Sequence, residues 1–178
     1  KPVGTEYKTR RGKMIVAQGN QFAISWPFTG IIPIFPIPSD DKFKPEILSG
    51  LIEGWATGLL AKEGKTRQGG DTYWGGKSML KTCQAFNMAW QLQLPVAKDL
   101  YAEARRITAD WLTHEPGEKA FYYARYPLPW SGLVGFNPSY GSEQFTDNHF
   151  HYGYLAMSVA LVGMHDPAWL AKYGPPAR

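Results

Sequence analysis

The chain has 178 residues, 44% hydrophobic and 19% charged, which fits one domain or a large piece of one and excludes disorder by composition. Its net charge of +4 comes from 19 basic and 15 acidic residues, mostly scattered, and this argues against a nucleic-acid partner, which would want a clustered basic face. A single cysteine, Cys83, excludes an internal disulfide framework and a cysteine zinc site, and no run of 18 apolar residues is present to span a membrane.

In chain order, the N-terminus is polar and carries no apolar signal-peptide core. The one dense basic run, Lys8-Thr9-Arg10-Arg11-Gly12-Lys13, is read as a solvated turn. The segments MIVAQG (14–19) and QFAISW (21–26) alternate in part around Gly-Asn and predict a β-hairpin. Four prolines between residues 27 and 38 predict an ordered apolar loop or edge. Residues 1–45 thus form a hairpin and Pro-rich region, and 46–178 a mainly helical one.

Pro45 suits the first position of a helix running to about Lys62, with Ile47, Leu48, Leu51, Ile52, Trp55 and Leu59 on one face. Gly64 closes it, and 63–71 reads as a flexible loop. Asp71 or Thr72 can cap a helix from about Tyr73 to Gln93, ended by Pro95. A third helix follows from about Val96 to His114, with Leu100, Ala104, Ile107 and Trp111 at helical spacing. KAFYYARYP and SGLVGF predict two strands around a Pro-Leu-Pro-Trp turn, residues 137–145 a loop, and 148–164 a last helix.

Two stretches can carry chemistry. In DTYWGGK (71–77), Gly75-Gly76 falls early in a helix, where each glycine costs about 1 kcal/mol relative to alanine. Close packing against a neighbouring helix would offset that cost, and so would close approach of a ligand with Tyr73 and Trp74 as stacking platforms. The stretch lacks the spacing of a phosphate loop. In SYGSEQFTDNHFHYGY (139–154), Asp147, His149 and His151 alternate. On an extended segment all three would share one face, a conceivable metal site. On a helix Asp147 and His151 share a face and His149 points away, which gives one acid backed by one imidazole. The plain structural alternative is an Asp N-cap beside partly buried histidines.

Together DTYWGGK, FYYARYPLPWSGLVGF and SYGSEQFTDNHFHYGY, in this order, resemble glycoside hydrolase family 81, the inverting endo-β-1,3-glucanases or laminarinases. The match is strong from about Asp71 to Tyr173. The family's mark is an NDHHFHYGY segment; Thr146 stands here where Asn is usual, and Asn148 where the first His of a pair is usual. The resemblance implies that the parent hydrolyses internal β-1,3-glucosidic bonds of a laminarin-like glucan, with Asp147 as general acid and without cofactor. It implies a partial (α/α)6 toroid with a short N-terminal β-hairpin region, and a wall of Tyr73, Trp74, Trp130, His151 and Tyr152 against the sugar. A secreted or cell-wall location is implied in the same way. The family's general base is a glutamate further along; no matching segment follows residue 154, so the chain by itself is expected to bind weakly and turn over nothing. Glu143, about 13 Å from Asp147 if the loop is extended, is read as a loop or substrate-contacting residue. The rivals are a glucan-binding fragment without turnover and a metal-dependent hydrolase using Asp147, His149 and His151.

Overall fold

The computed structural model describes residues 2–9, 12–21, 36–38, 40–61, 70–113, 121–125 and 131–177. They are mainly helical, and the chain divides into two compact units, Lys1–Ile31 and Ile32–Arg178.

The first unit is an antiparallel hairpin of β1 (Pro2–Thr9) and β2 (Gly12–Ala17). Their register runs from Pro2↔Ala17 to Thr9↔Gly12, with a bulge between Pro2 and Glu6. The expected partner of 14–19 was 21–26, and residues 22–26 lie outside the described residues. The pairing instead reaches back to the polar segment before Arg10-Arg11. That segment hides its strand character because both strands are solvated: Val3, Tyr7, Met14 and Ile15 are all at least half exposed. A cross-strand ion pair, Lys13 Nζ to Glu6 Oε2 at 2.9 Å, joins them.

In the second unit, α1 (Pro45–Leu60) starts with Pro45 in its first turn, as expected. Its buried face is narrower than its apolar one. Ile52, Ala56 and Leu59 are buried, whereas Ile47 and Leu51 are exposed. Next come α2 (Trp74–Gln91) and α3 (Ala97–Leu112), each slightly shorter than expected. Leu100, Ala104, Ile107 and Trp111 of α3 are all buried, so the helical spacing found the core correctly. Antiparallel β3 (Phe121–Arg125) and β4 (Ser131–Gly135) form a second two-stranded sheet. Helix α4 (Asn148–Gly163) packs against α2 and α3. A short α5 (Pro167–Tyr173) was not anticipated; Asp166 caps it, accepting Trp169 N–H at 2.8 Å, and Pro167 fills its first position.

The core is one cluster in which Phe86, Met79 and Cys83 of α2 meet Trp111 and Ile107 of α3 and Val159 and Val162 of α4. Gly76 lets α2 and α4 close. A Cβ there would lie 2.8 Å from Tyr154 Cδ2 and 3.3 Å from Trp111 Cη2. Of the two readings of Gly75-Gly76, packing is the one seen at Gly76. Sheet β3–β4 is fastened to α4 at Leu133: Tyr152 Oη accepts Leu133 N–H at 2.8 Å and donates to Leu133 C=O at 3.3 Å. Beyond β4, Asn137 N–H donates to Gly70 C=O at 3.0 Å. Gly135 is needed there, because a Cβ would collide with the Gly70 and Asp71 backbone.

Candidate active site

Two helix starts, those of α2 and α4, meet to form the site. At α2, Asp71 is buried and its Oδ1 accepts Trp74 N–H at 2.6 Å, so Asp71 is the capping residue. Thr72 is thereby free of capping. It is fully buried, and its Oγ1 lies 2.9 Å from Nδ1 of His151 on α4. Next in sequence, Tyr73 touches three rings: Trp74 at 4.9 Å and Tyr140 at 5.0 Å between centroids, both edge-on, and His151 at 5.6 Å. Trp74 and Tyr140 are largely exposed. Lys77, one turn along α2, holds its ammonium 4.9 Å from the Tyr73 ring and 5.0 Å from that of Trp74.

The loop into α4 is wound tightly. Tyr140, Gly141, Phe145 and Asp147 all have left-handed φ, at 54, 73, 59 and 56°. Such a conformation is uncommon outside glycine, and for Tyr and Phe it costs on the order of 1–3 kcal/mol each. Backbone bonds from Gln144 and Thr146 N–H to Gly141 C=O, at 2.9 and 3.2 Å, hold the loop closed over a buried Ser142. Glu143 sits on a 3-10 turn (Ser142–Gln144), so the extended-chain spacing from Asp147 does not apply.

Asp147 occupies the cap position of α4 but its side chain makes no cap hydrogen bond. The backbone carbonyl does that work instead, accepting Phe150 and His151 N–H at 2.9 and 3.0 Å. The carboxylate is exposed. The simple N-cap alternative therefore leaves the side chain unexplained.

Because α4 begins at Asn148, His149 and His151 point apart: His149 is exposed and His151 is buried. The alternating triad does not converge, and among the described residues no group of three His, Cys, Asp or Glu side chains could hold a metal ion. Burial pushes the His151 imidazole below its ordinary pKa, opposed in part by the Asp147 and Asp71 carboxylates, so the ring is neutral at pH 7. Asn148 leaves its Oδ1 buried without a partner.

Of the sequence-derived candidates, Tyr73, Trp74 and His151 come together, and Asp147 lies near enough for its charge to act on His151. Tyr152 commits its hydroxyl to β4, and Trp130 lies outside the described residues. Thr72, Tyr140 and Lys77 join the site without having been singled out for it; Thr72 carried a signal only as a possible cap. A groove of 790 Å³ runs between α1 and α2, lined by Trp55, Lys81 and Gln84, and reaches the aromatic cluster at Trp74 and Tyr154.

The glycosyl hydrolase family 81 C-terminal domain matches residues 53–177. A glucan endo-1,3-beta-D-glucosidase of Acetivibrio thermocellus is 34% identical over 175 residues, covering 96% of this chain and 21% of that protein. One of Thermobifida fusca is 30% identical over 174 residues, 95% of this chain and 22% of that protein. A primary septum glucan endo-1,3-beta-D-glucosidase of Schizosaccharomyces pombe is 32% identical over 56 residues, 28% of this chain and 6% of that protein. The chain therefore spans about a fifth of the length of the two bacterial relatives. No solved structure matches. With its helical region matched from Glu53 to Ala177, the chain belongs to glycosyl hydrolase family 81.

Proposed function

We propose that this chain supplies the general acid and part of the sugar-binding wall of an inverting endo-β-1,3-glucanase. The observation that carries the reading is Asp147. It stands in a left-handed conformation at a helix start, its carboxylate uncommitted, beside a neutral buried imidazole and a cluster of exposed rings.

The chemistry follows from inversion. The Asp147 carboxyl gives its proton to the glycosidic oxygen as the bond from that oxygen to the anomeric carbon breaks. Water, deprotonated by a second carboxylate on the far side, adds to the anomeric carbon and inverts it. A carboxyl holds a proton near neutrality when its charged form is desolvated or faces another negative charge. In the free chain Asp147 is exposed. Sugar rings seated on Tyr73, Trp74 and Tyr140 would exclude water from it. Lys77 over the Tyr73 and Trp74 rings leaves the remaining ring faces for sugar.

Helix α2 packed between α3 and α4 fits a segment of the (α/α)6 toroid expected for the family. The substrate is a polymer outside the cell or in its wall, so the parent protein is exported; among the described residues no helix is long and apolar enough to cross a membrane. A second reading, glucan binding without turnover, is favoured by the exposure of Asp147 in the free chain.

The test is the configuration of freshly released reducing ends, followed by proton NMR during laminarin hydrolysis by the full-length protein. The α-anomer should appear first and mutarotate afterwards. Immediate β-anomer would refute inversion, and binding without new ends would favour the second reading.

A further inference from the structure

We propose that Thr72 is a positioning residue that fixes the tautomer of His151, so that the imidazole meets the site as an Nε2–H donor. The inference deepens the glucanase reading by naming which groups His151 can recognise, namely sugar hydroxyl oxygens or an ionised carboxylate. The tautomer itself does not depend on that reading.

The argument is one of hydrogen-bond accounting. The Thr72 hydroxyl is fully buried, and its contact with His151 Nδ1 at 2.9 Å is its one side-chain hydrogen bond among the described residues. If Nδ1 carried the proton and donated, the hydroxyl hydrogen of Thr72 would be buried without an acceptor, an expensive arrangement. If Thr72 donates, both atoms are satisfied, and the ring proton must sit on Nε2. Among the described residues the buried side-chain atoms without partners are Ser139 Oγ and Asn148 Oδ1, so Nε2 of the buried His151 ring is not an orphaned group. Tyr73 and Phe150 flank the buried ring, at 5.6 and 6.4 Å between centroids. Asp71 makes the arrangement available by taking over the capping of α2, which leaves Thr72 to face α4. The two helix starts are thereby tied together through one hydroxyl.

The experiment is a two-bond proton–nitrogen NMR spectrum of the ¹⁵N-labelled 178-residue chain at pH 8, with the His151 signals assigned by their loss in His151→Gln. The wild-type spectrum decides by itself: an unprotonated Nδ1 and a protonated Nε2 are expected, and a protonated Nδ1 overturns the proposal. Thr72→Val keeps the shape and removes the donor, so the His151 nitrogen shifts should move toward a mixture of tautomers. Thr72→Ser should retain the wild-type pattern. A Val variant with unchanged His151 shifts would also overturn the proposal, because a merely structural threonine would leave the tautomer alone.

Discussion

Removing the hydroxyl of Tyr152 separates two uses of one side chain. In Tyr152→Phe the ring still fills its place under β4, where it lies beside Gly132. What is lost is the oxygen that accepts Leu133 N–H at 2.8 Å and donates to its carbonyl at 3.3 Å. Leu133 is only 4% exposed, so its amide is left buried without that partner. Such a loss costs about 1–3 kcal/mol. For a chain of this size 1 kcal/mol moves the melting temperature by about 2–4 °C, so the midpoint should fall by roughly 2–12 °C. Circular dichroism melts of wild type and variant are the assay. An unchanged midpoint would refute the reasoning, since it would mean that β4 does not depend on α4 for its amide partner. Glucan affinity should fall less than stability, because the hydroxyl faces the sheet.

Glycines give an opposed pair. Gly135→Ala drives a methyl into the Gly70–Asp71 backbone and should destabilise by about 1–3 kcal/mol, whereas Gly58→Ala meets nothing within 4 Å on α1 and should stabilise by about 0.4–1 kcal/mol; equal shifts in urea midpoint would contradict both. Burial depresses the pKa of both His151 and His165 from the ordinary 6.5. On acidification the unfolded chain takes up these protons first, so stability is full above about pH 6.5 and declines as pH falls toward the depressed native values. NMR titration midpoints at or above 6.5 for the native rings would contradict this sign.

Much of the helical unit was legible because its core repeats at helical spacing, as Leu100, Ala104, Ile107 and Trp111 do. Asp147 and His151 were legible as a pair because i and i+4 share a helix face, and the helix start at Asn148 settled against the converging triad. The hairpin partner was not legible, since residues 3–9 of β1 are all exposed and carry no apolar alternation on a hidden face. Of the four left-handed residues around 140–147, Gly141 and Asp147 are types that favour the conformation, whereas Tyr140 and Phe145 leave no mark in composition and adopt it under the constraint of loop hydrogen bonds. Nor could sequence show that Thr72 turns away from the helix it precedes, because Asp71, one residue earlier, offers the same capping chemistry and takes the role.

The central claim, that Asp147 is the proton donor, is tested most directly by Asp147→Asn in the full-length protein. The change removes the acid and nearly preserves its shape at an exposed position, so folding should be unaffected. General acid catalysis contributes about 10²–10⁴-fold, and hydrolysis of laminarin should fall by at least that much while binding is retained. An aryl β-glucan substrate with an activated leaving group, which needs less protonation, should be hurt far less. Hydrolysis of laminarin at the wild-type rate by the Asn variant would contradict the account.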